Sequence, residues 1–324
     1  MFPVSRRTAL TGLAAALAAG SARAADWPQK AVTWIVPYPS GGGSDAFARP
    51  VAAAIADKFA QPMVIDNKSG AGGTVGTAVA ARAPADGYTL LLGDTGLIYA
   101  PLIYPTAGFD FLRDFAPISA VARAPYVLAV NPAKLNVSTL AEFIAAARKS
   151  SGVIDVGSAG IGSVSHLAMS LFEQHADVRL NHVPYRGGAP MLQDLLAGQV
   201  SAAFVVLSAL PPLVQLGKLR ALAVAGRRRE PSLPNVPTMA EAGLPDFRAT
   251  IWFGVFAQAK TPDTVLDRVH GAVQAALQTD RVKQLWADQS VRVELESRAD
   301  FARFVAEDTE RWSRIVRAAN IKLE

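Results

Sequence analysis

The chain has 324 residues, 51% of them hydrophobic, with 32 Lys and Arg against 27 Asp and Glu and no cysteine. Thiolate nucleophiles, disulfides and cysteine metal sites are therefore excluded, and stability must come from packed apolar cores, for which this length gives two lobes of ordinary size. The formal charge of +5 overstates the basicity: Arg6, Arg7 and Arg23 lie in the N-terminal segment described next, and without them 29 basic residues face 27 acidic ones, an excess of +2 that does not suit a nucleic-acid surface.

Met1 to Ala24 reads as an export signal. Ser5-Arg6-Arg7 opens it, an apolar and small-residue stretch runs from Ala9 to Gly20, and Ala22-Arg23-Ala24 forms a small-x-small cleavage site. The paired arginines point to the twin-arginine route, although Thr8, Ala9 and Leu10 match its motif only in part. The apolar run is shorter than the roughly 20 residues a bilayer requires. The mature chain is expected to start at Ala25, in the periplasm.

Strand-like runs follow at Ala31 to Val36, Met63 to Asp66, Tyr88 to Leu92, Tyr126 to Val130, Ile154 to Gly157, His182 to Val183, Ala202 to Val206, Leu219 to Ala225 and Ile251 to Gln258. Helical patterns lie between most of them, which predicts an α/β fold with a largely parallel sheet. Thr139-Leu140-Ala141-Glu142 is a capping box. At the C-terminal end Phe301, Phe304, Val305, Trp312, Ile315 and Val316 share one helical face, predicting a packing helix. With no repeat and no long linker, two lobes joined by crossing strands fit better than two domains on a string. The expected division is residues 25–124 for one lobe, 125–224 for the other, and 225–324 for the return and the C-terminal helix.

Glycine-rich loops follow five of the strands. The first, WIVPYPSGGGSDAFAR from Trp34 to Arg49, runs from a strand through Gly41, Gly42 and Gly43 into a helix start at Ser44 and Asp45, so free backbone N–H groups gather at the positive end of a helix dipole. Asn67 to Thr74, Gly93 to Gly96, Ser158 to Ser163 and Tyr185 to Ala189 repeat the pattern. At the C-terminal ends of strands in an open sheet such loops converge on a ligand crevice.

Two anions compete for these loops. Gly41 to Ala46 fits G-x-G-x-x-A and Asp66 follows Ala46 by 20 residues, the spacing of a dinucleotide site on an oxidoreductase. Against it, Pro37-Tyr38-Pro39-Ser40 separates the strand from the glycines and Asp45 puts a carboxylate where pyrophosphate would lie. A carboxylate ligand needs only donors, and loop amides with the hydroxyls of Ser44, Thr95, Ser163 and Ser165 provide them.

The segments VPYPSGGGSDAFAR, NKSGAGGTVG, ADGYTLLLG, DFAPIS, GSAGIGSVSHL, NHVPYRGGAPMLQDLLAGQV and NVPTMAEAG, in this order along nearly the whole mature chain, resemble the Bug family, periplasmic substrate-binding proteins of the tripartite tricarboxylate transporter class. The resemblance implies a two-lobed α/β periplasmic binding protein, or Venus flytrap, with a hinge of crossing strands. Its ligand would be a small organic mono- or dicarboxylate. First-lobe contacts would fall at Pro39 to Asp45 (Pro39, Gly41, Gly42, Gly43, Ser44, Asp45) and around Thr95, and second-lobe contacts at Gly162, Ser163 and Ser165 and at Tyr185, Arg186, Gly187, Gly188 and Ala189. Departures at Ala100-Pro101, where the family has Asn-Pro, and at Ser201, where it has Asp, bear on which acid is bound.

Several side chains keep two readings. Asp45 is expected to cap its own helix and position the loop. Tyr38 and Tyr185 line the cleft through their rings or pack with their hydroxyls partnered. Arg186 pairs with a distal ligand carboxylate or reaches solvent, the latter favoured, and His166 caps or packs. A hydrolase built on Ser163 or Ser165, His166 and Asp94 or Asp194 is disfavoured, because Ser165 and His166 are adjacent and no G-x-S-x-G elbow exists. The sequence thus predicts a monomeric binding protein, not an enzyme, with no cofactor, metal or nucleic acid, delivering its ligand to membrane transporter subunits or, alternatively, to a sensor kinase.

Overall fold

In the computed structural model the described residues are 27–40, 43–288, 291 and 295–319. The predicted export signal and Gly41 and Gly42 lie outside them. The apolar run Val32–Val36 forms β1, followed by α1 (Gly43–Phe59), β2 (Met63–Asn67), a 3-10 turn (Ala71–Gly73), α2 (Thr74–Ala81) and β3 (Thr89–Asp94). Here β1 pairs in parallel with both β2 and β3, which requires crossover connections, and α1 and α2 lie in them.

After the short helices α3 (Ala100–Ile103) and α4 (Phe111–Asp114), the chain enters β4 (Phe115–Val130), a strand of 16 residues. Then come α5 (Leu140–Lys149), β5 (Asp155–Ser158), α6 (Val164–Ala176), β6 (Asn181–Pro184), α7 (Gly188–Ala197), β7 (Ala202–Val206), α8 (Pro211–Gln215) and β8 (Arg220–Val224). A return segment leads to β9 (Thr250–Gln258), α9 (Asp263–Leu277), α10 (Asp280–Asp288) and α11 (Arg298–Ala319). The strand order is β2-β1-β3-β9-β4-β7-β5-β6, with β8 also on β4.

The long strand β4 changes partners along its length. From Phe115 to Pro125 it pairs with β9, and from Tyr126 to Val130 it lies between β7 and β8. The return crosses at the same level: Tyr126 donates its N–H to the Ala249 carbonyl (2.9 Å), Ala225 to Tyr126 (2.7 Å) and Ala249 to Ala225 (3.0 Å). Two halves of the sheet are thus tied by β4 and by the Ala225 to Ala249 return.

Two expectations are corrected here. The pairings of β4 with β7, β8 and β9, and of β3 with β9, are antiparallel, so the sheet is mixed rather than largely parallel, because β4 and β9 run back between the halves. The sequence pattern also predicts this strand only from Tyr126, whereas it starts at Phe115. Its first half carries Pro117 and Pro125, which argue against a central strand, and the structure accommodates Pro117 at a register shift.

Helices α1, α9 and α10 cover one face of the first half around Trp34, Phe47, Val51, Leu266, Val269 and Trp286. A second apolar cluster runs continuously from Leu91, Phe111 and Phe256 in the first half to Phe143, Phe172 and Phe204 in the second. Helix α11 lies over this junction with Phe301, Val305, Trp312 and Val316 buried. It can approach β9 because position 254 is glycine: a Cβ there would collide with the Phe301 ring. Asp308, on the same face, accepts from the Trp252 indole (2.8 Å) and is paired with Arg311 at 3.0 Å, which satisfies a buried charge. One arm of the predicted capping box of α5 is present, Glu142 donating its N–H to Thr139 Oγ1 (3.1 Å), while its carboxylate accepts from the N–H of Ser138, one residue before the cap (2.6 Å).

Candidate functional site

The loops leaving β1 and β3 form the first wall. Asp45, 3% exposed in the first turn of α1, accepts from Arg49 Nε (2.7 Å) and from Asn67 Nδ2 (3.0 Å). The same Asn67 amide donates to the Tyr38 carbonyl (3.0 Å), and Arg49 also reaches Asn67 Oδ1 (3.1 Å) and Ser40 Oγ (3.3 Å). The carboxylate that looked awkward beside an anion site is therefore neutralised by Arg49 and oriented by Asn67, pinning the loop through Tyr38 and Ser40. Neither partner was legible from the motif. Pro39 is exposed and Ser44 half-buried.

Tyr38 reaches across to Asp94, at the end of β3, and its hydroxyl donates to that carboxylate. Asp94 Oδ1 also accepts the N–H groups of Gly96 (2.7 Å) and Leu97 (3.2 Å). Burial pushes the Asp94 carboxyl up to about 6 against these three hydrogen bonds, which lower it. Burial first, then the Asp94 charge, holds the hydroxyls of Tyr38, Tyr99 and Tyr126 above the ordinary tyrosine range. Thr95 is fully buried and its hydroxyl accepts from the Trp252 N–H (3.0 Å), so it fastens the loop to β9.

The loops leaving β5 and β6 form the second wall. Ser163 caps α6, accepting from the His166 N–H (3.3 Å), and its hydroxyl lies 3.0 Å from that of Ser165. Ser165, 1% exposed, accepts from the Ala159 N–H (2.9 Å). The Gly162 N–H donates to His166 Nδ1 (3.1 Å), and the His166 ring stacks on His182 with centroids 3.9 Å apart and planes at 4°. Burial and then His182 bring the His166 imidazole down to about 4, and burial lowers His182 as well. Ser158 Oγ lies 2.7 Å from His182 Nε2. The Tyr185 N–H donates to the Ser158 carbonyl (3.0 Å), stitching the two loops together.

Tyr185 donates its hydroxyl to Asp194 (2.9 Å) and is pushed up to about 12 by burial and then by that hydrogen bond. Arg186, Gly188 and Ala189 are exposed and Gly187 is half-buried; Gly187, at φ 123°, caps α7, whose first residues are Gly188 and Ala189. A Cβ at Gly188 would meet nothing within 4 Å.

The two walls meet. The buried Tyr99 hydroxyl, on the loop after β3, donates to the Gly162 carbonyl (3.1 Å), on the loop after β5. A Cβ on Gly162, at φ 76°, would lie 2.8 Å from Ile103 of α3. The structure thus links the loops after β1, β3, β5 and β6 in a chain, through Tyr38 and Asp94, Tyr99 and Gly162, and Tyr185 and Ser158. The hydroxyls of Thr95 and Ser165 hold the loops, and so do the N–H groups of Thr95, Gly162, Ser163 and Tyr185, which donate within the protein. Asp66, the ribose ligand in the dinucleotide alternative, is paired with Lys68 at 3.0 Å.

The tripartite tricarboxylate transporter family receptor (TctC) model matches residues 47–321. The chain belongs to this family. It is 35% identical to Protein BugT of Bordetella pertussis over 321 residues, covering 98% of this chain and 96% of BugT. Among solved structures, R. palustris Rpa4515 with adipate is 36% identical, with a TM-score of 0.83 over 92% of this chain and 100% of that one. MatC from Rhodopseudomonas palustris with bound malate is 32% identical, with a TM-score of 0.80 over 90% and 100%. The periplasmic binding protein BugD is 30% identical, with a TM-score of 0.81 over 92% and 100%. The TctC chain is accordingly a two-lobed α/β solute-binding protein, and the dinucleotide reading is not favoured. TctC proteins are periplasmic, and no helix among the described residues is long and apolar enough to cross a membrane.

Proposed function

We propose that this TctC protein captures a small dicarboxylate between its lobes, at Tyr38 to Asp45, the Thr95 loop, Gly162 to His166 and Tyr185 to Ala189, and delivers it to the membrane subunits of a tripartite transporter. The observation that carries this reading is the hydrogen bond from Tyr99 to the Gly162 carbonyl, which joins the loop after β3 in one half to the glycine loop after β5 in the other. Adipate in one relative and malate in another support a dicarboxylate. Hydrogen bonds to a charged group contribute about 1.5–3 kcal/mol each, so three or four amides reach the ~8 kcal/mol of micromolar binding before the costs of closure.

The lobes in this reading comprise residues 25–124 with 225–324, and 125–224, hinged at Pro125-Tyr126 and the Ala225 to Ala249 return. The working form is a monomer, cleaved after Ala24 and without catalytic activity. Ser158 and His182 form a close serine–histidine pair, but Ser158 is fully buried and no carboxylate orients His182 among the described residues.

Native mass spectrometry of the exported protein tests this, with Gly188→Val as the variant. The free backbone has room for the added side chain, so the melting temperature stays within about 1 °C while the valine obstructs the amides at the start of α7. Wild-type mass should begin at Ala25 and carry one acid per monomer, and G188V should carry none. An acid retained by G188V would remove this loop from the site.

A further inference from the structure

The buried carboxylate of Asp94 organises the loop after β3, yet the amide-based capture described above makes no use of it. It is 3% exposed, and among the described residues no lysine or arginine pairs with it. Its neighbours are hydroxyls and amides: Tyr38 after β1, Gly96 and Leu97 of its own loop, Tyr99 one turn further and Tyr126 on β4. The Gly96 and Leu97 amides that it occupies belong to the same loop, around Thr95, that the proposed site assigns to ligand. A carboxylate arriving there competes with Asp94 for donors and places a second negative charge against a buried one, which disfavours ionisation of Asp94.

We infer that Asp94 makes capture proton-linked: the arriving anion is accompanied by a proton that neutralises Asp94, releases its hold on the loop amides and lowers the charge enclosed when the lobes close. This rests on the carboxylate-binding reading. The groups facing Asp94 do not titrate in its place near neutral pH. The hydroxyls of Tyr38, Tyr99 and Tyr126 are all raised above their ordinary range, and the other lobe contributes the Gly162 carbonyl through Tyr99. Asp308, which acts on Tyr99 from α11, is engaged by Arg311 and Trp252. His166, beyond Gly162, is already neutral because it is lowered to about 4.

The test is isothermal titration calorimetry with adipate and with malate as probes, at pH 6.5 to 8, in buffers of different ionisation enthalpy. Wild type should take up a fraction of a proton approaching one per ligand, and affinity should fall by about threefold or more from pH 6.5 to 8, the limit for one proton being tenfold per pH unit. Asp94→Asn keeps the shape and an acceptor for Gly96 and Leu97; it should bind with pH-independent affinity and no proton uptake. Tyr38→Phe keeps the carboxyl and removes one bond to its ionised form, so its uptake window should move to higher pH. Binding without proton uptake in wild type, or equal uptake in D94N, would overturn the proposal while leaving the carboxylate reading intact. Binding of neither acid to wild type would overturn the dicarboxylate reading and this proposal with it.

Discussion

At the scale of single residues, Asp94 and His166 store opposite pH dependences in the two walls. The Asp94 carboxyl, up to about 6 in the folded protein, holds its proton more tightly than in the unfolded chain, so stability falls as pH rises from about 4 to 6. A displacement of that size is worth at most about 3 kcal/mol. His166, lowered to about 4, binds its proton less tightly when folded, so stability is lost as pH falls from about 6.5 towards 4. The two trends offset each other in wild type. Urea unfolding at pH 7 and at pH 4.5 separates them: D94N should lose more stability on acidification than wild type, and His166→Gln less. Equal losses in all three would show that neither group titrates as its surroundings dictate. Little of this was readable in sequence. The motif pointed to Thr95, Ser163 and Ser165, but a motif does not say where a hydroxyl points, and the Asp45–Arg49–Asn67 network joins residues on different elements through distances only the fold sets.

At the scale of elements, legibility followed local chemistry. The capping box of α5 and the apolar face of α11 were plain because a cap and a 3.6-residue period are encoded within one or two turns. The first half of β4 was hidden because Pro117 and Pro125 oppose a strand locally, whereas β9 alongside imposes one. Gly254 shows a tertiary constraint of the same kind: nothing local requires glycine, yet α11 packs Phe301 against its Cα face. Gly254→Ala forces the Phe301 ring or the helix outward, and overpacking of this kind costs about 1–3 kcal/mol. Chemical denaturation should show that loss in the midpoint with an unchanged slope, and Phe301→Leu in the same background should recover part of it. An undiminished midpoint in G254A would mean that α11 docks on β9 without the close approach.

At the scale of the whole molecule, the two halves of the sheet are connected by β4 at Pro125-Tyr126 and by the return from Ala225 to Ala249, and these are the hinge in the proposed closure. Between the lobes the walls are joined by the hydrogen bond from Tyr99 to Gly162 and by Ile103 against Gly162. A net intramolecular hydrogen bond contributes about 0.5–1.5 kcal/mol, so its loss shifts the open-to-closed ratio by about 2- to 13-fold. Tyr99→Phe keeps the ring against Trp312 and removes only that bond. Its ligand-free radius of gyration in solution scattering should exceed that of wild type, and its affinity for the bound acid should fall by up to that factor, in proportion to the lost closed fraction, because a ligand that selects the closed state must first offset the lost closure energy. At saturating acid both proteins should converge on one compact form. If the two ligand-free proteins scatter alike, the bond does not govern closure; if saturating acid compacts neither, the acid binds on one lobe alone and the meeting of the walls at Tyr99 and Gly162 is a packing contact rather than part of capture.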